Sequence, residues 1–182
     1  MPHQRTDSYL QDSLTIFRYY KKLGENAVTQ CPDEGLFRAL DDESNSIAIV
    51  VKHMAGNMRS RWRDFLTTDG EKPDRNRDSE FEEPAATREE LLKQWEEGWK
   101  WLFAALEPLT EADLTRTVTI RTEPHSVMQA INRQIAHYSY HVGQIVFLAK
   151  HFAADHWKAL TIPKKKSAEF NTAVASGEKS QR

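Results

Sequence analysis

The sequence lacks the residues and segments on which several common protein classes depend. It has one cysteine, Cys31, which excludes an intramolecular disulfide and a zinc site built from cysteines. No apolar run approaches the roughly 18 residues of a membrane span, and the first residues are polar rather than an apolar signal core. With 25 Lys and Arg against 27 Asp and Glu, the net charge of -2 offers no electrostatic basis for binding nucleic acid or an anionic membrane. We therefore expect a cytoplasmic protein with neither kind of partner.

Length and composition favour one domain with its own core. The chain has 182 residues, of which 39% are hydrophobic and 10% aromatic, too many for a disordered chain. After Trp157 the composition becomes polar and rich in lysine. The sequence therefore predicts a domain over residues 1–165 and a polar C-terminal tail over 166–182 that buries little.

Four segments carry apolar residues at helical spacing, each bounded by a capping residue, a proline or both. They predict an all-α fold, an up-and-down four-helix bundle with a long charged loop between the second and third helices. The first helix begins after Asp7 or Ser8 and ends before Pro32, the second runs from Asn45 or Ser46 to about Thr67, the third from the capping box Thr87–Glu90 to Pro108, and the fourth from Ser126 to about His151.

Two connections between these helices are unusual. The loop from Thr68 to Ala86 carries seven acidic and three basic side chains, and a loop of this length is either mobile or folded across another part of the domain. Polar and apolar residues alternate from Thr115 to Arg121, which indicates a short extended piece without an obvious partner strand.

Three histidines are candidates for a metal site. His137 and His141 lie four residues apart in the fourth helix, which places their Cβ atoms about 5–6 Å apart on one face. His53 in the second helix would complete a set of three if the helices pack at about 8–10 Å. Three protein ligands leave a coordination position for water or substrate, as in catalytic metal sites. Tyr138 stands where a His-Glu-x-x-His protease has its glutamate, which excludes that class.

The same patterns have plainer interpretations. A histidine pair at this spacing is, taken alone, more often a polar decoration of a helix than a metal site. Gln134 and Gln144 lie in the same helical row and either orient the imidazole rings or are simply polar residues at the rim. The remaining histidines sit near segment ends, where we expect them to be solvated: His3, His125, His151 and His156.

The second helix contains His-Met-Ala-Gly-Asn at residues 53–57, and the fourth contains His137-x-x-x-His141 followed by Val-Gly-Gln-Ile. These two motifs resemble the DinB-like superfamily, a damage-inducible bacterial family. The similarity spans about residues 7–165 and includes the run from Trp62 to Gly70, typical of a branch of unknown activity. The resemblance implies a four-helix bundle, usually dimeric, with a divalent metal held by His53, His137 and His141. Zinc is the first choice of metal, and nickel or iron are alternatives.

The resemblance also implies a range of functions. Some relatives are transferases or isomerases that use a low-molecular-weight thiol as cosubstrate. The leading hypothesis is a metal-dependent thiol S-transferase or hydrolase acting on a small molecule, with no general base assigned. The first alternative is a non-catalytic metal or small-ligand binding protein linked to stress, and the second is a dimeric scaffold with idle histidines.

Trp101 supports the expectation of a homodimer. It lies about 160° from the inward-facing Trp99 on a helical wheel, on a side that is otherwise polar. Tryptophan is enriched at the centres of interfaces, so a second subunit or the loop Thr68–Ala86 is expected to cover it. The loop offers little apolar surface besides Phe81, which favours the subunit.

Overall fold

The computed structural model describes residues 5–82 and 84–180. The expectation of an all-α fold is confirmed: helices dominate the described residues, accompanied by one small β-hairpin. No helix in these two ranges is long and apolar enough to cross a membrane. The elements are α1 Tyr9–Gln30, α2 Asp33–Phe37, α3 Ile47–Trp62, α4 Arg88–Leu106, β1 Thr117–Ile120, β2 Glu123–Ser126, α5 Val127–Ala153 and α6 Ser167–Ala175, with 3₁₀ turns at Asp78–Phe81, Glu111–Thr115 and Ala154–His156.

The four long helices begin at the residues that the capping rules predict. In each, the hydroxyl of a serine or threonine accepts a hydrogen bond from the backbone N–H three residues later and satisfies one of the free donors of the first turn. In α4 and α5 the side chain of a glutamate or glutamine in the first turn also accepts a hydrogen bond from the backbone N–H of the capping residue, which completes a capping box. The capping residues are Ser8, Ser46, Thr87 and Ser126.

Three features differ from the predicted boundaries. Helix α3 ends at Trp62 rather than near Thr67, because the chain becomes extended at Arg63 and enters the left-handed region at Asp64, with φ of 49°. A short helix, α2, follows Pro32 in a segment for which no helix was predicted. The tail contains the helix α6, which buries none of its residues.

One aromatic ring from each long helix meets in the centre of the core. Phe17 of α1, Trp62 of α3, Trp99 of α4 and Tyr138 of α5 are buried, and their ring centroids lie 5.9–6.4 Å apart in the pairs that contact. Such tilted and edge-on pairs each contribute about 0.5–1.5 kcal/mol beyond the burial of their area. Because Tyr138 must face this centre, the rotation of α5 is determined, and the neighbouring His137 is placed on the flank of the helix.

The extended piece does have a partner strand, directly after it in the chain. Strands β1 and β2 pair in antiparallel fashion through a two-residue turn at Arg121 and Thr122, with φ of 54° and 67°. Such left-handed pairs normally contain Asn or Gly. Here the Asp69 carboxylate accepts hydrogen bonds from both turn amides, at 2.9 and 2.7 Å. The hairpin is thus held by a residue of a distant loop.

The charged loop between α3 and α4 is folded across α3. The Ser60 hydroxyl donates to the Gly70 carbonyl at 3.0 Å and accepts from the Lys72 amide at 2.9 Å. Further along, the Lys52 ammonium donates to the carbonyls of Ser79 and Glu82, both at 2.6 Å. The loop therefore forms a fixed wall beside the face of α3 that carries His53.

Candidate metal centre

The structure brings the three predicted histidines together. Nε2 of His137 lies 3.4 Å from Nε2 of His53 and 3.0 Å from Nε2 of His141. The three candidate ligand nitrogens all lie within 4.8 Å of one another. Zinc with tetrahedral ligands at 2.0–2.1 Å requires nitrogens about 3.3 Å apart. The spacing is thus compatible with three imidazoles around one ion.

The outer nitrogen of each ring faces an oxygen acceptor. Nδ1 of His53 lies 2.9 Å from Oε2 of Glu80, and Nδ1 of His141 lies 2.8 Å from Oε1 of Gln144. Nδ1 of His137 makes a longer contact of 3.4 Å with Oε1 of Gln134. These acceptors favour the tautomer with the proton on Nδ1, which leaves the three Nε2 lone pairs facing one another. The three lone pairs repel one another, and a cation placed between them would remove this repulsion.

Glu80 is the residue beside the candidate site that the sequence did not reveal. Its side chain is buried and is held by Arg75, whose Nε and Nη2 each lie 2.8 Å from the carboxylate oxygens. Arg75 in turn pairs with Glu71 at 3.0 Å. The result is a buried chain of charges that fixes the ring of His53 from behind.

Gly56 is the residue in the sequence that could have indicated a side chain packed closely against α3 beside His53. It lies three residues after His53 in the interior of α3, where glycine costs about 1 kcal/mol relative to alanine. A Cβ atom at this position would overlap with Oε1 of Glu80. The glycine thus makes room for the carboxylate that orients His53.

Burial and charge favour the neutral form of His137 and His141. Burial, reinforced by the neighbouring His141 and His53 and by Arg61 and Arg75, lowers the pKa of His137 from 6.5 to about 3. Burial also lowers the pKa of His141. A neutral imidazole is the form that binds a metal, so near neutral pH these two rings are in the protonation state that a metal ligand requires.

The hydrogen bonds of Glu80 outweigh the effect of its burial. Burial raises the pKa of this carboxyl, but the bonds from His53 and Arg75 hold the pKa below its ordinary value. Glu80 therefore remains a charged acceptor, committed to two partners and facing away from the open side of the site.

That open side is a cavity of about 590 Å³ that all three histidines line, with His53 buried and the other two half-buried. Its other walls come from Asn57 of α3, from Tyr140 and Gln144 of α5, from Phe81 of the loop and from several arginines. No Asp or Glu is among the described residues that line it. Phe81 packs against the His53 ring with centroids 4.7 Å apart, which shields that ring from solvent.

The other candidate residues lie away from this centre. His151 and His156 are exposed, as expected, whereas His125 is half-buried on β2 and contacts the carbonyl of Glu123. His3 lies outside the described residues. Trp101 is 39% exposed. The loop residue Phe81, which was a candidate to cover Trp101, packs on His53 instead.

Comparison with known proteins identifies a family. No curated protein matches this chain. The profile of a family described as "Protein of unknown function (DUF1572)" matches residues 4–166, which is most of the sequence. The chain therefore belongs to this family of unknown function.

Proposed function

We propose that the protein is a metal-dependent enzyme with a DinB-like four-helix bundle, in which His53, His137 and His141 hold one divalent ion, with zinc the first choice. The observation that carries the proposal is the convergence of three Nε2 atoms whose rings are each oriented by an acceptor at Nδ1. Three ligands leave one position open toward the cavity, as in catalytic rather than structural sites. When bound, such an ion acts as a Lewis acid that lowers the pKa of a thiol or a water.

Of the two reactions, we favour thiol S-transfer on a small molecule over hydrolysis. Hydrolysis generally requires a positioned general base or acid besides the nucleophile. The carboxylate nearest to the histidines, Glu80, is already bonded to His53 and Arg75, and no described carboxylate lines the cavity. A thiol needs less help, because its ordinary pKa of about 8.5 is already close to neutral. The single cysteine, Cys31, is buried in the core, so the thiol would be an external cosubstrate.

Metal analysis of protein prepared without a metal-affinity step tests the site. We expect one divalent ion per chain in the wild type and loss of this ion in His137→Ala. His151→Ala is the matched control on the same helix, because His151 is exposed at the end of α5. Metal content that is unchanged in His137→Ala would refute the site.

Turnover tests the reaction. Loaded protein incubated with a low-molecular-weight thiol and an electrophile such as monochlorobimane should consume both, and His141→Ala should not. If metal binds and no thiol reacts, the second hypothesis of a non-catalytic metal-binding protein replaces the first.

We also propose that the protein works in the cytoplasm as a homodimer that buries Trp101. The support is a recess beside this side chain with apolar walls from Phe65 and Leu66. Partly exposed tryptophan beside such a recess is typical of an interface centre.

A further inference from the structure

Arg61 forms no hydrogen bond or ion pair with a described carboxylate, and Glu71 and Asp69 act on its charge only from a distance. It lies two turns after His53 on α3, lines the same cavity and is only 4% exposed. Its Nε and Nη1 atoms are buried and have no hydrogen-bond acceptor among the described residues. Burial lowers the pKa of this guanidinium, a sign of its desolvation. A buried charge without a counter-ion is costly, and proteins rarely keep one without a use.

The surroundings of Arg61 are built to leave it unpaired. A Cβ atom on Gly70 would lie 2.5 Å from Nη1 of Arg61, so the glycine makes room for the guanidinium. The carbonyl of this glycine already accepts a hydrogen bond from the Ser60 hydroxyl at 3.0 Å. This carbonyl is therefore engaged with another donor.

The cavity is also positively charged as a whole. Arg133 of α5 lines it and forms no ion pair with any described carboxylate. Arg75, Arg77 and Arg121 line it too, but each of these three has an acidic partner. Arg61 lines the same cavity wall as Asn57 of α3 and faces the three histidines across a shared space. Two unpaired cations thus share one cavity with the three histidines.

We propose that Arg61, assisted by Arg133, binds an anionic group of the molecule that reacts at the histidine centre. The group is a carboxylate or a phosphate, the planar or tetrahedral anions whose oxygens match the donor fork of arginine. The role in the reaction rests on the proposed function, whereas the binding of the anion itself requires no metal. The bound anion supplies the directly bonded counter-ion that Arg61 lacks. The site therefore prefers an anionic small molecule to a neutral one.

Anion binding to the metal-free protein is the first test. Inorganic phosphate and succinate are titrated by calorimetry against the wild type, Arg61→Met and Arg133→Met. We expect Arg61→Met to weaken binding at least tenfold, since bonds to charged groups are the strong ones. Arg59→Met is the control on the same helix, because the Arg59 side chain is 62% exposed and pairs with Asp74. The stronger of the two anions identifies the class of group.

Failure of both anions to bind the wild type, or equal binding by Arg61→Met, overturns the proposal. Thermal unfolding adds a readout that separates binding from a structural role. Arg61→Met removes a buried charge that has no ion-pair partner, so its melting temperature should be higher than that of the wild type. A lower melting temperature would mean that Arg61 supports the fold. Arg61→Lys keeps the charge but loses the fork, so it should fold and still bind the anion more weakly.

A second titration separates this inference from the proposed function. Zinc-loaded protein is titrated with 3-mercaptopropionate and with the neutral 2-mercaptoethanol. We expect the acid to bind at least tenfold more tightly, and we expect Arg61→Met to lose this preference. If no metal is held but anions still bind through Arg61, the proposed function fails and the anion site stands. If both thiols bind equally to loaded wild-type protein, the anion site is wrong while the metal centre stands.

Discussion

The carboxylate of Glu80 lies 2.9 Å from Nδ1 of His53, although the two residues are 27 positions apart in the chain. Residues that bond to the outer nitrogen of a metal-binding histidine fix its tautomer and the direction of its lone pair. The charged loop therefore supplies an orienting contact to the candidate centre without contributing one of its three histidines.

Glu80→Gln should lower the zinc affinity by about 10- to 100-fold, the range seen when such an orienting partner is changed. The amide still accepts a bond from His53 but no longer raises the basicity of the ring as a carboxylate does. Competition with a chromophoric chelator measures the change. Glu82→Gln is the control, because Glu82 is exposed and uses its backbone carbonyl, not its carboxylate, to contact Lys52. Equal affinities in the two variants would show that Glu80 has no part in the centre.

The metal-free protein should lose stability on acidification from pH 7 to pH 5. The pKa of His137 falls from 6.5 to about 3 on folding, so between these values the unfolded chain binds a proton that the folded chain does not. Stability therefore decreases as the pH falls through this window, by at most about 1.4 kcal/mol per pH unit for this group. Urea unfolding at both pH values measures it, and His137→Asn should show a smaller decrease. A metal-free wild type that is more stable at pH 5 would contradict the lowered pKa.

Asp69→Ala should destabilise the protein by about 1–3 kcal/mol, the cost of leaving hydrogen-bonding groups without partners. Its carboxylate accepts from the amides of Glu71, Arg121 and Thr122, and the last two have left-handed φ angles. Chemical denaturation measures the loss. In contrast, Thr122→Gly should stabilise the protein slightly, because glycine avoids the left-handed steric cost of about 1–2 kcal/mol, a gain that its greater freedom in the unfolded chain partly offsets. A stabilised Asp69→Ala would mean that the hairpin turn needs no support from the loop.

Trp101→Glu should convert the proposed dimer into a monomer. A charge at the centre of an apolar interface is left desolvated and unpaired, which typically costs several kcal/mol. Light scattering at micromolar concentration measures the mass of both forms. Trp157→Glu is a useful comparison at a tryptophan outside α4. A monomeric wild type would refute the dimer, and a dimeric Trp101→Glu would keep the dimer but refute this interface.

Some of the fold could be predicted because its signals are local. The N-caps Ser46 and Ser126 need only a hydroxyl and an amide three residues later, so they can be identified from adjacent residues. The spacing of His137 and His141 is likewise a property of one helix. Gln144, three residues beyond His141, could be recognised as an orienting partner for the same reason.

The charged loop shows where such reasoning ends. Its composition gave two alternatives, mobile or folded across the domain, and charge counts alone do not distinguish them. The structure shows that Arg75 joins Glu71 to Glu80, so the acidic side chains that suggested solvation are partly neutralised inside the protein. A prediction from composition treats each charged side chain as solvated, whereas in a packed loop acidic and basic side chains form pairs with one another.

The amino-acid sequence by itself determined the four long helices, their capped starts, the apolar stripes and the pairing of His137 with His141, because each depends on residues within a few turns of one another. Only the tertiary structure decided that His53 meets this pair, that Glu80 orients His53, that Asp69 holds the turn at Thr122, and that Arg61 forms no ion pair. These relationships join residues of different elements, and their energies arise from burial and from distances that no spacing along the chain encodes.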